Sequence, residues 1–326
     1  MVFPYCRRDF AALQLSSRLV VLVVLVTCFL HRQRLDDLLD SFWGSLRRQP
    51  WIKHDSCEPL FSTVVFFFWV NLFRFFDLYC PFLWRFRYNQ RDDPVKEGFL
   101  IKTQDPHGVL AVVGYIVPLL AFDVLFPRRR LPERGPSFFG LLGSVAASLW
   151  LYDLLFFFVH LGFHKIPLFQ GIHRRHHQEG RMKASEVVRL SFLDGALQVG
   201  ANILALNLLR LHPLARLLHD AAITFLLTEI HSGYDFPWAL HRILPEGVMA
   251  GPEKHELHHI LGTGYFQQFF CYLDNLFGLF PEEKRAGDIR RVWKKRKGKA
   301  SASSELEGKL VCAAGDCERE VRSRAH

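Results

Sequence analysis

The chain lacks the features that mark several common protein classes. It has no C-x2-C pair, and its seven cysteines (6, 28, 57, 80, 271, 312 and 317) are scattered and odd in number. A paired-thiolate zinc site and a complete disulfide framework are therefore both disfavoured. No N-x-S/T sequon occurs, so nothing requires an oxidising compartment. There is no G-x-G-x-x-G run, hence no signature for a flavin or dinucleotide carried by the chain itself. No internal repeat is visible.

What the chain does have is long apolar runs: half of its 326 residues are apolar and 31 are phenylalanine. Residues 11–30 carry a single charge, Arg18, over about the length a bilayer core demands of a helix. Arg7 and Arg8 precede the run as they would in a secretory signal. HRQRLDD follows it instead of a small-x-small cleavage pattern, which favours an uncleaved anchor. Residues 61–84 form a second block, where Arg74 and Asp77 are spaced to pair across a helical turn. Residues 108–126 form a third, with Pro118 as an expected kink. The block at 137–164 is 28 residues long. As a helix it reaches roughly 40 Å against a hydrocarbon core of roughly 30 Å. Its last turns, with His160 and His164, are thus expected to project beyond the membrane. Blocks 192–211 and 214–230 meet at His212-Pro213, where proline favours a break. A helical hairpin there would return His231 to the side from which Phe192 departs. Residues 232–253 are rich in Gly, Pro and aromatics and read as a structured cap.

The expected fold class is all-α: a polytopic integral-membrane helical bundle with a histidine-rich di-metal cap on its cytosolic face. Three regions are expected: N-terminal transmembrane helices and loops over 1–136, a catalytic domain over 137–281, and a basic, disordered tail over 282–326. The formal charge of +9 owes much to KKRKGK at 294–299. Basic residues flanking membrane spans account for it, and no nucleic-acid partner is expected. The charge test for orientation is mixed: 127–136 carries four arginines on the far side, while 165–191 and 282–326 on the site side carry more.

Three histidine clusters stand out: HLGFH at 160–164, HRRHH at 173–177 and HELHH at 255–259. On a helix, positions i, i+3 and i+4 share a face, so each cluster can aim two or three imidazoles at one point. With about one histidine per twenty residues, H-x2-H-H is expected by chance on the order of 0.04 times in such a chain, yet it occurs twice. Eight imidazoles (His160, His164, His173, His176, His177, His255, His258, His259) exceed what one metal takes and suit two. His231 is the expected ninth ligand. Imidazole accepts zinc, copper, iron or nickel, so the ligands alone do not select the metal. HELHH also contains the literal H-E-x-x-H of a zinc hydrolase, with Glu256 as its base; that reading leaves the two upstream clusters unexplained. Asp153, two helical turns before His160, is expected as an acceptor for an imidazole N–H. Asp235 and His241 are further candidates for supporting the ligands. The isolated His31, His54, His107, His212, His219 and His326 are expected to be satisfied core residues.

VHLGFHKIP (159–167), GIHRRHHQ (171–178), EIHSGYDFPWALHRILPEG (229–247), HELHH (255–259) and YLDNLFG (272–278) resemble the fatty acid hydroxylase/sterol desaturase superfamily of membrane di-iron oxygenases. Within it the run is most similar to cholesterol 25-hydroxylase-like proteins. The resemblance covers roughly 145–280. Two places depart from the family pattern: Lys254 stands where relatives often carry histidine, and ILGTGYFQQFF lacks an expected asparagine. The resemblance implies a non-haem di-iron centre, O2 as co-substrate, and hydroxylation of an unactivated aliphatic C–H of a membrane lipid, first of all a sterol side chain. Electrons would come from cytochrome b5 or an NAD(P)H-dependent reductase, and the enzyme would be multi-pass in the endoplasmic reticulum membrane. A sterol desaturase or C4-methyl oxidase on the same scaffold, a zinc-dependent membrane hydrolase and a non-catalytic metal-binding membrane protein remain as alternatives.

Overall fold

In lipid an apolar segment must satisfy its own backbone hydrogen bonds, which for a single stretch means a helix. The computed structural model describes residues 7–54, 56–87, 106–126, 131–174, 176–177, 182–184, 187 and 190–280. The expected basic tail at 282–326 lies outside them. The described residues are mostly helical and contain no strand, only two isolated bridges, Arg87 with Tyr234 and Met249 with Phe270.

Among the described residues, three helices are long and apolar enough to cross a membrane: α1 (Arg7–Leu30), α3 (Cys57–Tyr79) and α5 (Phe138–Lys165). Between α1 and α3 lies α2 (Arg32–Leu46). The apolar stretches Val113–Leu125, within α4 (Pro106–Leu125), and Phe192–Leu208, which is α7, are shorter. Pro118 sits inside α4. The apolar window of α1 buries nothing against the rest of the chain, as a lipid-facing helix should. Its first half is tied where Gln14 Nε2 and Arg18 Nη2 donate to the Arg242 carbonyl at 2.7 and 2.9 Å, and near its end Phe29 meets Phe139 edge-on at 6.2 Å between ring centroids. That carbonyl belongs to α9 (Leu240–Ile243).

The main core lies between α3, α5, α7 and α8 (Pro213–His231), with Phe66 and Val70 contributed by α3. Leu149, Tyr152 and Phe156 of α5 pack against Ala201 and Ala205 of α7 and Ile230 of α8. Apolar transfer gives little between helices already in lipid, so close packing carries the association, and the two alanines permit it. The hairpin expected at His212-Pro213 is present. Helix α7 ends at Leu208, Arg210 takes a left-handed turn (φ 49°), and Pro213 opens α8 while His212 Nδ1 accepts from Leu214 N at 3.1 Å.

Of the isolated histidines, only His219 is shown in the core. There Nδ1 meets Ser148 Oγ at 2.7 Å and Nε2 meets Asn202 Oδ1 at 2.6 Å, tying α8 to α5 and α7. His31 and His54 are exposed and His212 is half-buried against Trp43, so the core expectation fails for these three. They lie at helix ends, where a polar ring loses little by meeting water. His326 and the side chain of His107 are outside the described residues. Because His219 is doubly bonded in a buried seam, His219→Ala is expected to cost about 2 to 4 kcal/mol by thermal unfolding, with metal content unchanged below the transition.

Candidate metal centre

Helix α5 is 28 residues long, and its last turns carry His160 and His164 on one face. Proline at 167 then restarts the chain as α6 (Pro167–His173), which ends on His173 and leads into the turn holding His176 and His177. His231 ends α8. His255, His258 and His259 lie on one face of α10 (Gly251–Leu261). The structure gathers these nine rings into two sets: His160, His164, His173, His177 and His258 in one, His176, His231, His255 and His259 in the other. Within each set one nitrogen per ring lies within 4.8 Å of every other. The sets adjoin, with His177 stacked on His259 at 4.5 Å between ring centroids.

The outward hydrogen bonds fix where the ring protons are. Nδ1 of His160 meets Phe266 O at 2.7 Å, and Nδ1 of His258 meets Gly264 O at 2.7 Å. Nδ1 of His231 meets Leu227 O at 2.6 Å, and Nδ1 of His177 meets His259 O at 3.2 Å. A carbonyl only accepts, so each of these rings spends its proton outward and presents a bare Nε2 inward. Nε2 of His258 lies 3.1 Å from Nε2 of His160, and Nε2 of His177 lies 3.1 Å from Nε2 of His173. His255 Nε2 lies 3.2 Å from the Nε2 atoms of both His231 and His259. His258 and His160 have no proton left to share, so lone pair faces lone pair. A cation between them removes that repulsion. Two imidazole nitrogens bound about 2.1 Å from one metal lie about 3 to 3.4 Å apart, which these spacings match.

Electrostatics point the same way. Burial, reinforced by neighbouring imidazoles, pushes His176, His255, His258 and His259 well below the ordinary histidine value and takes His177 down to about 4. Neutral rings keep the lone pair a metal needs. His164 Nε2 and His176 Nδ1 are buried without a hydrogen-bond partner among the described residues. A bound metal would take up such a lone pair, so the donor set fits one.

The supporting residues are not the ones the sequence suggests. Asp153 bonds no imidazole. Oδ1 accepts from the backbone N–H groups of Gln268 and Phe269 at 3.1 and 3.0 Å, and Oδ2 from Phe270 N and Gln267 Nε2 at 3.1 and 2.8 Å. Asp274 of α11 (Tyr272–Phe277) accepts from Phe266 N at 2.9 Å and Gln267 N at 3.0 Å. The two carboxylates thereby fix the loop that offers the Gly264 and Phe266 carbonyls to His258 and His160. Asp153 serves the site through the loop. Asp235 and His241 pair with each other at 3.0 Å, and Asp235 also accepts from Arg242 Nε at 2.8 Å. The chain turns at Gly233 (φ 79°) directly after α8, and Asp235 finds its partners in α9 rather than in the histidine sets. Burial alone would raise Asp235, but the His241 and Arg242 hydrogen bonds hold it below its ordinary value.

The carboxylate that does meet a ligand ring is Asp194, whose Oδ1 lies 3.0 Å from His173 Nδ1. Its other oxygen accepts from Ser191 N and Oγ, while Ser191 Oγ accepts from Asp194 N. The S-x-x-D spacing of a capping box was the available signal: it marks the start of α7 but not the ring the aspartate also reaches. Asp194→Asn preserves the shape and removes the charge. It is expected to weaken metal affinity about 10- to 100-fold, measured by chelator competition.

Beside the histidines lies a cavity with Phe156, Val187 and Leu190 as apolar wall, bounded elsewhere by His160, His176 and His255. It is the place where an aliphatic group could meet both sets.

Known proteins resemble the chain over this region. The family model described as "Fatty acid hydroxylase" matches residues 145–279. Cholesterol 25-hydroxylase of Rattus norvegicus is 34% identical over 167 residues, 48% of this chain and 53% of that protein. Cholesterol 25-hydroxylase of Homo sapiens is 34% identical over 157 residues, 45% of this chain and 55% of that protein. Cholesterol 25-hydroxylase-like protein 1, member 2, of Danio rerio is 36% identical over 260 residues, 74% of this chain and 90% of that protein. The chain spans about half the length of the mammalian relatives it matches. No solved structure matches it.

Proposed function

Since the chain belongs to the fatty acid hydroxylase family, we propose that it is a membrane-bound di-iron monooxygenase that hydroxylates an unactivated aliphatic C–H of a lipid, a sterol side chain in the first instance. The observation that carries this reading is the meeting of nine imidazoles in two adjoining sets. Iron held by them would supply the activation of O2 needed to oxidise such a bond. The chain's own residues hold and orient. His160, His164, His173, His177 and His258 take one ion and His176, His231, His255 and His259 the other. The carbonyls of Gly264, Phe266, Leu227 and His259 keep the proton on Nδ1 of the rings they meet. Asp194 does the same for His173 and adds a negative charge that strengthens the ring as a donor. Phe156, Val187 and Leu190 keep water from the cavity and offer an apolar seat to the reacting carbon.

The overall change inserts one oxygen atom into C–H and reduces the other to water, consuming two electrons and two protons. A cytochrome b5 or an NAD(P)H-dependent reductase is the proposed electron source. The endoplasmic reticulum membrane, with the histidines facing the cytosol, is the proposed location. Desaturation or C4-methyl oxidation would use the same residues with a different substrate pose. A zinc hydrolase built on Glu256 would use the second set and leave five histidines without a task.

Isotopically labelled dioxygen separates these readings. Membranes containing the chain, given sterols, fatty acids and a reductase, are expected to yield a lipid alcohol with one labelled oxygen by mass spectrometry. An unlabelled cleavage product would point to hydrolysis, and a new double bond without label to desaturation.

A further inference from the structure

Two glutamines of the cavity have no part in metal binding. Gln198 lies on α7 one turn beyond Asp194, and Gln268 lies in the loop held by Asp153; both border the cavity. Between them, fully buried, is Tyr152, whose hydroxyl donates to Gln268 Oε1 at 2.6 Å and accepts from Gln198 Nε2 at 3.1 Å. These are the only hydrogen bonds of the two amides' side chains among the described residues. Gln198 Oε1 and Gln268 Nε2 are therefore left with hydrogen-bonding capacity.

This outcome does not depend on which way the amides are turned. A phenol donates one hydrogen bond, so if both amides were flipped, Tyr152 would donate to Gln198 and accept from Gln268. One amide carbonyl and one amide NH2 would still remain. An uncharged donor and an uncharged acceptor side by side fit a group that both donates and accepts. A hydroxyl does so. A keto oxygen, a carboxylate or a phosphate has no proton to give and would leave the amide carbonyl unmatched. Inside the protein, leaving either amide unmatched carries the penalty of a buried polar group.

We propose that Gln198 and Gln268, aligned by Tyr152, hold a hydroxyl of the lipid next to the carbon presented to the metal centre. The proposal rests on the hydroxylase reading and adds to it a preference for oxygenated lipids. The hydroxyl has two possible sources, one already on the substrate or the one the reaction creates.

The test uses full-length, iron-loaded protein in nanodiscs and two matched pairs of probes. One pair is cholesterol and a side-chain-hydroxylated cholesterol; the other is a saturated fatty acid and its terminally hydroxylated form. The wild type is expected to bind the hydroxylated member of at least one pair about tenfold or more tightly. Gln198→Met and Gln268→Met should each bring that ratio close to one while leaving iron content unchanged, with a lower thermal transition from the Tyr152 hydrogen bond that each loses. Oxidation of the hydroxylated member assigns the hydroxyl to the substrate; its accumulation from the parent lipid assigns it to the product. The proposal is overturned if no pair shows a preference, if none of the four probes binds, or if both variants keep the preference. A fall in turnover at an unchanged ratio would also overturn it, because the amides would then serve a water or proton path. Iron content and labelled-oxygen incorporation on the same preparations report separately on the hydroxylase reading.

Discussion

Alanine at His258 is expected to abolish lipid hydroxylation, lowering turnover by more than about a hundredfold, and to release iron from the five-histidine set. Changing a residue that only orients a ligand typically weakens metal affinity or activity 10- to 100-fold, and removing the ligand itself must do at least as much. His258 gives up two things at once. Its Nε2, 3.1 Å from that of His160, is lost as a donor, and its Nδ1–H no longer ties α10 to the Gly264 carbonyl. His176→Ala is the matching change in the other set, and it too should lose metal and activity together. His31→Ala, at an exposed ring, is the control and should change neither. Turnover assays paired with iron analysis of the same purified samples provide the check. Normal activity in either ligand variant would contradict the assignment.

Asp153→Ala should be the most destabilising single change near the site. Asp153 has no exposed surface, and removing its carboxylate strands three backbone N–H groups and the Gln267 amide in the protein interior. Even partial loss of these bonds is expected to cost about 3 to 5 kcal/mol. The effect should also reach the metal, because the freed loop carries the carbonyls that orient His160 and His258. Thermal unfolding should show a lower transition for Asp153→Ala, with Asp153→Asn intermediate, since the asparagine carbonyl retains part of the acceptor capacity. Iron retention should follow the same order. A transition within a degree of the wild type would remove the loop from the account.

The residues also show what local sequence conveys. The ligands were legible because each cluster follows helical spacing, so one turn carries its own geometry. His231 was legible because a proline break and an apolar run of known length return the chain to its starting side. The supporting groups were not legible in the same way. Asp153 points from α5 toward a loop more than a hundred positions away, and only tertiary packing decides whether an imidazole or a backbone N–H meets it. Asp194 announced itself as a helix cap, yet its second partner, His173, comes from a separate element. Asp235 lies near His231 in sequence, but it pairs with His241 and Arg242 of α9. The isolated histidines carried no pattern, and only burial distinguishes His219 from His31.

The number of iron atoms bound per chain is the most direct measure of whether two sets of imidazoles hold two ions. Elemental mass spectrometry of protein purified and reconstituted without oxygen should give about two irons per chain. That value should fall in both His258→Ala and His176→Ala. A fully active protein holding one zinc and no iron, or holding no metal, would contradict the account.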